Sequence, residues 1–72
     1  MSGPPVVWPQ PDGTSVSCRE KLKVLEENHT ELAQTLRDCF DDAVLMGVDA
    51  EAMRSILEDL VAGLKTPLKV AP

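Results

Sequence analysis

Nine positions in the middle of the chain follow one another at spacings that alternate between four and three: Cys18, Leu22, Leu25, His29, Leu32, Leu36, Cys39, Ala43 and Met46. Only an α-helix puts such a series on one face, because a strand sends alternate side chains to opposite sides. The mean period of 3.5 residues is that of a coiled-coil seam. Leu22, His29, Leu36 and Ala43 take its a sites, and Cys18, Leu25, Leu32, Cys39 and Met46 its d sites. No Pro or Gly interrupts the run, so a first helix is expected over about 18–46. Ser17 with Glu20 three residues on has the form of a capping box at its start. Gly47, which tolerates the left-handed conformation, is expected to close it.

A second helix is expected over about 50–64. Asp49 is a good N-cap, and Val48 and Met53 could staple its first turn. Met53, Ile56, Leu57, Leu60, Val61 and Leu64 form an apolar stripe, with Glu51, Arg54, Ser55, Glu58 and Asp59 on the other side. Gly63 and Thr66-Pro67 end it. The short link makes an antiparallel hairpin of one long and one short helix, so the fold class is all-α. The hairpin takes residues 17–65, between a Pro-rich flexible arm at 1–16 and a loose tail at 66–72. Four prolines in the arm, Pro4, Pro5, Pro9 and Pro11, are expected to keep it out of helix and sheet pairing, and "PDG" marks a turn.

The unequal helix lengths matter. Folding back from Gly47, the second helix reaches only from Met46 to about Leu32. Along that half the first helix widens its apolar face with Ala33 and Phe40; along the other half the flanks are Arg19 and Glu26. A narrow seam with charged flanks suits a two-stranded coiled coil. Cys18, Leu22, Leu25, His29, Leu32 and Leu36 are therefore the expected interface. It would be filled by a second copy, making a coiled coil or four-helix bundle, or by a larger protein. His29, at an a site, would be a polar residue that fixes register or oligomeric state.

Composition narrows the function. The chain has 72 residues and a net charge of −5, which disfavours nucleic acid and anionic membrane as partners. Its two cysteines, roughly 30 Å apart along one straight helix, cannot bridge within it. Trp8 and Phe40 are the only aromatics beside one histidine, which leaves little from which to build a deep ligand pocket. No signal segment, catalytic nucleophile with a base, or phosphate loop is apparent. A cytoplasmic, non-enzymatic protein binder without cofactor or metal is the expectation.

Three patterns bear on what it binds. Glu26 and His29 have the Glu-x-x-His spacing of di-iron carboxylate bundles, and dimerisation could complete such a half-site. Asp38, Asp41 and Asp42 form an acidic patch that could receive a basic partner. Val6, Val7 and Trp8, set between prolines, could dock in a groove as a linear motif or fold back on the exposed seam. Ala43, Gly47, Met53 and Ile56 also stand where the helix-turn-helix family has its small residue, turn glycine and two core contacts. Over about twenty residues the chain resembles that family, which implies a DNA-binding or antitoxin-type regulator. Against that, the would-be recognition helix carries Glu51, Glu58 and Asp59 with only Arg54 to meet phosphates. The reading that unites most of these features is a small acidic interaction module acting as regulator, adaptor or accessory subunit.

Overall fold

The computed structural model describes residues 6–67. Helix α1 runs Arg19–Leu45 and helix α2 Ala50–Ala62. Among the described residues the only β-pairing is an isolated antiparallel bridge between Pro9 and Ser15. The all-α hairpin expected from the two stripes is therefore the fold. The chain divides into two compact units, Met1–Thr35 and Leu36–Pro72, with the division falling inside α1.

The second unit is the hairpin itself. At its bend Gly47 N–H donates to the Val44 carbonyl at 3.0 Å, and Val48 N–H reaches back to the Ala43 carbonyl at 2.9 Å. These two bonds make a Schellman motif, which satisfies carbonyls that the end of α1 leaves without helical partners. The motif needs a left-handed residue, and Gly47 supplies it with φ +106°. Two residues on, Asp49 is extended, and its carboxylate accepts from the Ala52 N–H at 2.9 Å, capping α2. Reversal and restart thus take only a few residues, which brings the two apolar stripes together.

The first unit departs from expectation at both its ends. Helix α1 starts at Arg19, and its first backbone bond runs from Leu22 N–H to the Cys18 carbonyl at 2.9 Å. The capping position therefore belongs to Cys18, not Ser17. The helix begins one residue later than a Ser17–Glu20 box requires, so a sulfur stands where a hydroxyl was expected.

The arm also pairs, contrary to the reading of its prolines. Gly13 N–H donates to the Gln10 carbonyl at 2.9 Å, Gln10 N–H to the Thr14 carbonyl at 2.6 Å, and Val16 N–H to the Trp8 carbonyl at 2.8 Å. The loop has the pattern of a three-residue hairpin connection ending in a left-handed glycine, Gly13 at φ +92°. Pairing survives because only the N–H groups of Gln10 and Val16 are used across it. Pro9 and Pro11 occupy the alternate positions, where no donor is required. Asp12 locks the loop: its Oδ1 accepts from the Thr14 N–H at 2.9 Å and the Thr14 hydroxyl at 2.7 Å.

The two helix-end glycines should respond oppositely to alanine. Gly47→Ala places a side chain at φ +106° and should destabilise the hairpin by about 1 kcal/mol or more. Gly63, with φ −80°, closes α2 in an ordinary helical conformation. A Cβ there meets only the Asp59 and Leu60 carbonyls at 3.5 and 3.6 Å, so Gly63→Ala should stabilise by roughly 0.4–1 kcal/mol. Urea unfolding followed by circular dichroism checks both signs.

Candidate functional site

Each unit presents one candidate surface. In the first, the hairpin arm lies against the seam of α1. The Trp8 and His29 rings meet edge-on, with centroids 5.8 Å apart and planes at 84°. This T-shaped arrangement is one of the two that aromatic quadrupoles favour. Val16 shares a shallow groove with Glu20, Lys21, Val24 and Leu25. Trp8, Val16, Leu22 and Leu25 are all half-buried. Of the two docking modes open to the arm, folding back on its own seam is the one present. The expectation that the first half of the seam lies uncovered by its own chain is corrected accordingly. Cys18, His29, Leu32 and Leu36 remain exposed, as do Val6 and Val7. The arm is held without help from the Trp8 indole N–H, which is buried and finds no acceptor among the described residues. Such a donor costs about 1–3 kcal/mol, so the docked arm is less firmly held than its apolar contacts alone would make it.

Glu26 and His29 gain no further ligand. Among the described residues no three of His, Cys, Asp and Glu gather as a metal site would require. At the head of α1 the amides of Lys21 and then Glu20 point at the Cys18 sulfur and hold its thiol below the usual range. Cys18 and Cys39 are both exposed and unbridged, but only Cys18 has these donors. Sequence reading placed Cys18 inside the helix as a seam residue, and nothing in the letters separates that from a cap.

In the second unit an open groove of about 660 Å³ runs between α1 and α2. Leu36, Phe40, Leu57, Val61 and Ala62 give it an apolar floor and walls, and Arg37, Arg54 and Glu58 are its charged members. Arg54 is fixed twice. Its guanidinium sits over the Phe40 ring, 5.2 Å from the centroid, and bonds Glu51 one turn back at 2.5 Å. The one cation offered to phosphate by the helix-turn-helix resemblance is thus already engaged. Asp38, Asp41 and Asp42 are all exposed on α1. The groove was missed in the sequence because it combines residues from two helices; its signal was the widening of the stripe at Phe40.

Comparison with known proteins gives one partial likeness. The chain is 45% identical over 38 residues to a UPF0335 protein of Rickettsia prowazekii (strain Madrid E), a stretch covering 53% of this chain and 49% of that protein. The chain thus spans about half the length of the curated relative it matches. No family model matches it. No solved structure matches it either.

Two outcomes follow from the first unit. Hydrogen bonds to Thr14, the side-chain bond first, lower the Asp12 carboxyl below its ordinary value of 3.8. A lowered folded-state value stabilises the loop above that pH and ceases to do so as pH falls through the lowered value. Trp8 emission should therefore be blue-shifted at neutral pH and move red on acidification, and Asp12→Asn should remove that acid step. His29→Ala should move the emission red at neutral pH. Separately, a thiol held low by helix amides is the more reactive one. Iodoacetamide under limiting conditions should label Cys18 before Cys39, and peptide mass spectrometry reads the order.

Proposed function

We propose that this chain is a small acidic protein-interaction module, serving as regulator, adaptor or accessory subunit through the apolar face of its helical hairpin. One observation carries the reading. Among the described residues none is fully buried, while Ile56, Leu60 and Val61 are 51%, 68% and 62% exposed along α2, and Leu64 just beyond its end is 77% exposed. Scattered exposed leucines need no explanation, but a contiguous apolar stripe beside a groove is the mark of a surface that meets another protein. No helix among the described residues is long and apolar enough to cross a membrane. The few aromatics leave less support for small-molecule chemistry.

The reading predicts that partner capture depends on the stripe. The tagged chain should retain at least one protein from its own cell in stoichiometric amount. Ile56→Asp with Leu60→Asp should lose it, and circular dichroism should show the helices intact, because both side chains are exposed in the free hairpin. Equal capture by wild type and variant removes the proposal.

A further inference from the structure

Resting on the reading above, we propose that the groove between α1 and α2 is the interface for a second copy of this chain, so that two hairpins close face to face into a four-helix bundle.

The apolar floor is the first argument. The groove floor is apolar, and Leu36 and Val61 at its edges are 37% and 62% exposed. Closing a helical bundle over such a floor is the usual way a chain this small gains a core.

Charge is the second. In a chain with 12 acidic and 7 basic residues, the groove has two arginines and one glutamate as its charged lining. Arg37 and Glu58 put both signs on this one face, so a second copy of the same face can match charge to charge. Geometry makes the fit more specific. Arg37 lies eight residues before the end of α1 and Glu58 eight residues after the start of α2. At about 1.5 Å per residue, both sit about 12 Å from the bend, on opposite walls. A two-fold axis parallel to the helices lays α1 of each copy over α2 of the other. That places each Arg37 level with the other copy's Glu58, and each Phe40 near the other copy's Leu57. The surface is complementary to itself, as an isologous dimer requires.

The contacts expected in such a dimer are few, and each is testable on this chain. Sedimentation velocity across the micromolar range should show a monomer–dimer equilibrium. Val61→Asp should weaken it by about tenfold or more, because the carboxylate would be buried in the apolar groove. Val61 is exposed in the free chain, so the hairpin should keep its circular dichroism. Arg37→Glu and Glu58→Arg should each weaken association, and the pair together should restore it. As a measurement that needs no variant, isotope-filtered NOE spectra of mixed labelled and unlabelled protein should show contacts from the Phe40 ring to Leu57 methyls of the other copy. Phe40 is the one phenylalanine, so its signals are unambiguous. A monomer at every concentration, a dimer indifferent to Val61→Asp, or intermolecular contacts confined to Leu22 and Leu25 would each overturn the assignment. A monomer that still captures a foreign protein through the stripe overturns this inference and leaves the interaction module standing. A monomer with no stripe-dependent capture overturns both.

Discussion

Two helices can cover each other along only one stripe apiece, and that constraint governs this chain. A helix has apolar neighbours on one side of a hairpin and water on the other. Met53, Leu57, Phe40 and Ala43 reach half-burial and no further. The contacts that do form are therefore local and polar-assisted: the Schellman turn at Gly47, the Asp49 cap, and Arg54 held between Phe40 and Glu51. Each contributes on the order of 1 kcal/mol, and a small domain without a full core depends on several such terms together.

The same constraint explains the arm. The seam of the first half of α1 is apolar at Leu22 and Leu25. A short hairpin with a tryptophan is the economical cover available within the chain. It is built from turn chemistry rather than from a third helix: Gly13 takes the left-handed position, Asp12 binds Thr14, and Pro9 and Pro11 fall where no donor is needed. His29 then has the Trp8 ring as its aromatic neighbour.

Much of this was legible in the letters because it is periodic or stereochemical. The alternating spacing of four and three announces α1, and the Val48–Asp49 link with Gly47 before it announces the reversal and cap. What misled were features whose meaning depends on position by a single residue. Ser17 and Cys18 can each accept from helix amides, and only the start of α1 at Arg19 selects the thiol. Four prolines read as a bar to pairing, although a proline blocks a strand only where its own N–H would have been used. Asp12-Gly13 following Pro11 was the signal that a turn, not merely a flexible stretch, stood there.

By itself, the sequence determined the two helices, the Asp49 cap of α2, the bend between them and the face each turns inward, since these follow from spacing along the chain and from what Gly, Pro and Asp allow a backbone to do. Only the tertiary structure decided that Trp8 lies on His29, that Cys18 holds the helix N-terminus, and that Arg37, Phe40, Leu57 and Glu58 line one groove. Those are meetings between residues distant in the chain or competing for one position. Periodicity carries no information about them, because many partners satisfy the same pattern and the packed geometry selects one.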